Sequence, residues 1–152
     1  TISAYALTAN GIIDIGTSKE LTITAAINIG SNTLDFTGNG NLKPTNGITL
    51  NSGTSILKKS TGTGAILGEV TFGNSGAILD IDGATTVTTL TPTQGGKIDA
   101  AANLTVNAAI SVPASKTLDF AGAGYLIPSK GITLAGAGSI LKKREYLKNY
   151  QK

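Results

Sequence analysis

From residue 11 to residue 143 the chain alternates short apolar runs with clusters of Gly, Asn, Ser, Thr and Pro. Inside the runs, apolar and polar positions alternate one by one, the period of a strand with one buried face. Thus Leu34 and Phe36 share one side of Thr33-Leu34-Asp35-Phe36, with Thr33 and Asp35 on the other. By the same rule Ile48 and Leu50 point inward and Thr49 outward. The runs favour β-branched residues, which suit a pleated, half-buried surface, and no helical period occurs before residue 142.

The runs recur at long range. Residues 33–59 return as residues 117–143, identical at 17 of 27 positions without a gap at an offset of 84. The apolar residue heading each unit is Ile13, Leu34, Leu57, Leu79, Ile98, Leu118 or Leu141, at intervals of 21, 23, 22, 19, 20 and 23 residues, so four units fill the offset. Most units hold three runs, as in TLDF, NLKP and GITL; in the fourth, AILDI is followed by the blurred TTVTTLTPT. Three short strands and three corners make one turn of a parallel β-helix. The fold predicted is an all-β, single-stranded parallel β-helix of about seven coils of 19–23 residues, roughly 34 Å long at about 4.8 Å per coil. A leucine-rich repeat would need a spaced Leu frame, an Asn ladder and room for a helix, and none of these is present. Glycines in GNG, NSG, GNSG and GAG suit sharp corners, and Pro44 and Pro128 end strands by removing a donor.

The division expected is a repeat domain over 1–143 and a basic tail over 144–152. In that tail Tyr146, Leu147 and Tyr150 form one apolar side of a short helix that caps the last coil, the alternative being a loose end. From Lys142 to Lys152 five positive residues stand against Glu145, a net +4 in a chain whose total is +3, so the body carries −1. A diffuse basic groove with interleaved aromatics, the footprint of nucleic-acid binding, is missing, so no nucleic-acid partner is expected. Nor is direct membrane insertion, because no stretch approaches the roughly 18 apolar residues of a span. Zero cysteine excludes disulfides and thiolate metal sites. A start at Thr1 without Met fits a processed chain or an excised fragment.

The phrases GNGNLKPTNGITLNSG and GAGYLIPSKGITLAGAG resemble the Gly, Leu and Thr phrases of bacterial autotransporter passengers and related β-helical adhesins. The likeness covers residues 11–143 in rhythm. It implies an exported protein, secreted or held at the cell surface. The membrane barrel that carries such a passenger outward is not among these residues, which leaves a fragment, a cleaved product or a solenoid of another system.

Equivalent positions of stacked coils form columns, so candidate sites are columns. One is Asp14, Asp35, Lys58, Asp80, Asp99, Asp119 and Lys142, read as a solvated face with partial charge compensation. Its sharper reading, a calcium or carbohydrate surface over Asp35, Asp80, Asp99 and Asp119, asks for more oxygen ligands per cation than one column supplies. The other is Thr22, Thr49, Thr71, Thr88, Thr105 and Thr133, either a β-forming stack or a water-templating hydroxyl lattice. With no His, and with Arg144 as the sole Arg, no such side chain can serve as a general base in a groove. Stacked carboxylates near the roughly 5 Å separation of a retaining glycosidase pair keep polysaccharide cleavage as an alternative. Short coil loops give such a pair no cleft. GTGAILG and GNGN lack the Lys and the following helix of a phosphate loop.

The function expected is a structural or adhesive segment of an exported bacterial surface protein, non-enzymatic and without a cofactor or metal. Its expected partners are a host surface or glycan, or neighbouring copies end to end. Polysaccharide binding or cleavage is the alternative, followed by ice binding or filament formation.

Overall fold

The computed structural model describes residues 1–144, which are all-β. The expected cap of Tyr146, Leu147 and Tyr150 lies outside the described residues. The first turn is β1 (Gly11–Asp14), β2 (Glu20–Ile23) and β3 (Ile27–Ile29), and the second is β4 (Thr33–Thr37), β5 (Asn41–Pro44) and β6 (Ile48–Leu50). β7 (Ile56–Lys59) with β8 (Ile66–Phe72) and β9 (Ile78–Ile81) with β10 (Thr85–Thr91) form the third and fourth. β11 (Gly96–Ala100), β12 (Leu104–Val106) and β13 (Ile110–Val112) make the fifth, and β14 (Thr117–Ala121), β15 (Leu126–Pro128) and β16 (Ile132–Leu134) the sixth. β17 (Ile140–Arg144) begins another. The chain is therefore a β-solenoid of about six turns, close to the seven expected, and its strands pair in parallel.

The head strands stack as one seven-stranded sheet, β1-β4-β7-β9-β11-β14-β17. The remaining strands line the other faces around a continuous apolar core. One core column runs Leu34, Leu57, Leu79, Ile98 and another Ile48, Val70, Leu90, all buried. In β4 and β6 the expected alternation holds, with Leu34, Phe36, Ile48 and Leu50 inside. Pro44 and Pro128 close β5 and β15.

Two expectations are corrected. The third and fourth turns do not contain three strands each. β10 runs continuously across the second corner because VTTLT has no Gly, Asn or Pro to break it, and the bend is absorbed as an irregularity between Val87 and Thr89, while the β8 strand beneath it continues through Gly68. The head column also slips by two residues at two places. Ile13 lies opposite Phe36 rather than Leu34, and Ile98 opposite Phe120 rather than Leu118. Leu34 and Leu118 meet Gly11 and Gly96 instead. A two-residue slip keeps every side chain on its own face, so the core survives it. The inward-facing Gly96 leaves its space to Phe72, whose ring would lie 2.5 Å from a β-carbon there.

Candidate functional site

The slips break the acidic column expected from the sequence. Asp14 stands opposite Thr37, not Asp35, and Thr37 Oγ1 donates to its Oδ1 at 3.0 Å. The true outward column is Ile12, Asp35, Lys58, Asp80, Asp99, Ala121 and Arg144. Asp119 belongs to the neighbouring column, between Lys97 and Lys142. Of the four candidate carboxylates only Asp80 and Asp99 are direct register neighbours.

Each candidate carboxylate is engaged by a donor. Asp35 accepts from Ser60 Oγ at 2.7 Å and Ser60 N at 3.2 Å. Lys58 Nζ donates to Asp80 Oδ2 at 2.9 Å and to Asp82 Oδ2 at 2.8 Å, binding one turn to the next. Lys97 Nζ lies 3.0 Å from Asp99 Oδ2, and Arg144 Nε 2.7 Å from Asp119 Oδ2. The other Asp119 oxygen, Oδ1, is buried without a partner among the described residues. Hydrogen bonds from Lys58 to Asp82 and then Asp80 hold its ammonium well above the ordinary lysine range. Its folded-state affinity for a proton is raised, so the stabilisation is fully present below the unfolded pKa and is lost as pH climbs through the raised folded value. Lys58→Met is thus expected to cost about 1 kcal/mol at neutral pH, discounted for partial exposure. The difference from wild type should be constant in urea melts from neutrality to mildly alkaline pH and shrink only in strong alkali; a difference growing with pH would contradict the assignment.

The threonine column is also divided. Thr22 lies opposite Lys43, Thr105 opposite Thr86 and Ile127, and Thr133 opposite Ser111, while Thr88 is an exposed residue at the irregularity in β10. Only Thr49 and Thr71 stack, and they extend through Thr91 to give the outward run Asn28, Thr49, Thr71, Thr91. The six residues sit on strands of different faces, which aligning phrases by their Thr does not distinguish.

Besides Ser60, Lys97 and Arg144, the column reading misses Asp82 and Lys59. Lys59 is 1% exposed, its Nζ 4.4 Å from the Phe36 ring centroid. It donates to the carbonyls of Gly38, at 2.9 Å, and Thr61. Burial pushes its ammonium below the ordinary range, against the pull of Asp35 and Asp14. Alternation carried one step beyond Leu57 and Lys58 would have placed Lys59 inside.

Two open depressions mark the head sheet. The larger, about 660 Å³, runs between the corner at Gly73–Gly76 and the edge of β17, with Lys97, Lys116, Lys142, Arg144 and Asp119 on its walls. The smaller, about 400 Å³, contains Asp80, Asp82 and Asp99. Among the described residues no three carboxylates converge as a metal site would require, and no helix is long and apolar enough to cross a membrane. Comparison with known proteins yields no matching family model, curated protein or solved structure.

Proposed function

We propose that the chain is a structural and adhesive segment of an exported bacterial surface protein, a stiff rod whose side faces present repeated polar columns. The observation that carries this reading is the pairing of surface charges across turns: Lys58 ties β7 to β9 and Arg144 ties β17 to β14. Side chains used in this way reinforce a scaffold. Asp80 and Asp99 are adjacent, but each is held by a lysine and both line an open depression rather than facing each other across a cleft. The reading is therefore non-enzymatic. The resemblance of the Gly, Leu and Thr phrases to autotransporter passengers supports export and surface display.

The test is to incubate the protein with a panel of plant, bacterial and host polysaccharides, following released reducing ends in parallel with retention of labelled protein on the immobilised panel and on host-cell monolayers. Retention on cells without reducing ends is expected. Turnover abolished by Asp80→Asn or Asp99→Asn would replace the reading with glycoside cleavage.

One observation favours polysaccharide binding as a second reading. The larger depression gathers Lys97, Lys116, Lys142 and Arg144, a set of cations that suits a sugar bearing an acidic group. Retention of an acidic glycan lost on Lys142→Ala would support it.

A further inference from the structure

The two ends of the rod carry strands that match a pair already stacked in its interior. In β17 the order Ile140-Leu141-Lys142-Lys143 repeats that of β7, Ile56-Leu57-Lys58-Lys59. At the opposite end, Ile12-Ile13-Asp14-Ile15 differs from Ile78-Leu79-Asp80-Ile81 of β9 at one position, Ile13 for Leu79. In the interior β9 lies on β7 with Ile56 opposite Ile78, Leu57 opposite Leu79, Lys58 opposite Asp80 and Lys59 opposite Ile81. β17 and β1 are the terminal strands of the head sheet. Each terminal strand thus presents the sequence that the interior partner of the other one recognises.

Burial gives the same result at the C-terminal end, whereas at the other end Tyr5 and Leu7 already pack on the core and Ile2 bridges Ile23, leaving the edge of β1 beside them. Leu134 and Leu141 are 52% and 41% exposed, whereas their repeat equivalents, Leu50 and Leu57, are fully buried. Among the described residues no turn follows to cover those leucines. The edge of β17 is basic through Lys142, Lys143 and Arg144, whereas the first turn carries Asp14 and Glu20 beside the single Lys19, with Glu20 3.6 Å from Lys43 of the second turn. Two C-terminal ends would therefore repel, while the N-terminal end sets the Asp14 carboxylate where the β7–β9 register places the acidic partner of a lysine.

We propose that the C-terminal end binds the N-terminal end of a second copy, β17 pairing in parallel with β1 so that Lys142 faces Asp14, Leu141 faces Ile13 and Lys143 lies against Ile15. Backbone donors and acceptors of the two edges complete the ladder, as unpaired edges tend to do. Charge fixes the register: a shift by two residues would set Lys142 against Ile12 or Gly16, and a shift by one would turn every side chain to the wrong face. Such a head-to-tail contact does not close on itself, so it extends into a linear filament. Lys142 also lines the larger depression, but the joint is read by mass rather than by glycan retention, and it fails or stands separately from the adhesive reading.

The test is sedimentation velocity on the full chain over a concentration series, so that residues 145–152 compete for the edge if they cover it. The weight-average mass of wild type is expected to rise from the 15.3 kDa monomer with concentration. Asp14→Lys alone and Lys142→Asp alone each place like charges in the joint and should remain monomeric. An equimolar mixture of the two, and the double variant, should associate again, because each restores an opposite pair in every joint. Wild type that stays monomeric throughout overturns the proposal, as do single variants that associate like wild type or a mixture that does not associate.

Discussion

Replacing Gly62 by Ala is expected to cost about 3 kcal/mol or more, a loss made of backbone strain and overpacking together. Gly62 has φ of 79°, a left-handed conformation that by itself costs an L-residue roughly 1 to 2 kcal/mol. A β-carbon there would lie 2.2 Å from the carbonyl oxygen of Gly38 and 2.5 Å from its carbonyl carbon. The obstacle is backbone, and the ladder bonds of the strands on either side hold it in place. Gly131 supplies the control, since its φ of 81° is nearly the same but nothing lies within 4 Å of its would-be β-carbon. Gly131→Ala should therefore lose only the conformational part. Urea denaturation of both variants reads the two effects as shifts of midpoint. Equal losses would show that the coils do not meet backbone to backbone at that corner.

That corner explains why the repeat was visible before its register was. The phrases GNG and GAG recur because turns approach too closely for side chains: a β-carbon at Gly40 would lie 2.4 Å from the Gly16 carbonyl oxygen, and one at Gly124 2.0 Å from that of Ala102. Alternation within TLDF and GITL likewise fixed which side chains enter the core, since a strand allows two faces only. Neither signal reports the vertical alignment of turns. A slip of two residues leaves inward and outward sets intact, so Leu118 and Phe120 were equally acceptable over Ile98. The actual choice depends on Gly96 yielding its space to Phe72, a contact between residues 24 apart in sequence. The acidic column was misaligned for this reason at Asp14 and Asp119, whereas Asp35, Lys58, Asp80 and Asp99 stack as read. The threonines failed differently: LTI and GITL look alike but occupy different faces, so that Thr22 and Thr49 were never candidates for one column.

Truncating Leu57 should cost about 2 to 5 kcal/mol, the usual range for a Leu deleted from a packed core. Leu57 is fully buried, with Leu34 below it and Leu79 above. The repeat provides an internal comparison, because Leu141 has the same neighbours in sequence, Ile before it and two lysines after it. In the single chain it has Leu118 below, nothing above among the described residues, and 41% of its surface exposed. Leu141→Ala therefore removes less buried area and opens no enclosed cavity, so its cost should be about 1 kcal/mol or below. Measured on monomer at low concentration by urea denaturation, the two losses should differ by at least about twofold. Equal losses on confirmed monomer would mean that Leu141 is covered as completely as Leu57, and that the rod continues beyond β17 within the same chain. Losses that are unequal in dilute solution but converge as concentration rises would place the missing cover in a second copy, since a partner that binds only the folded state adds stability by mass action.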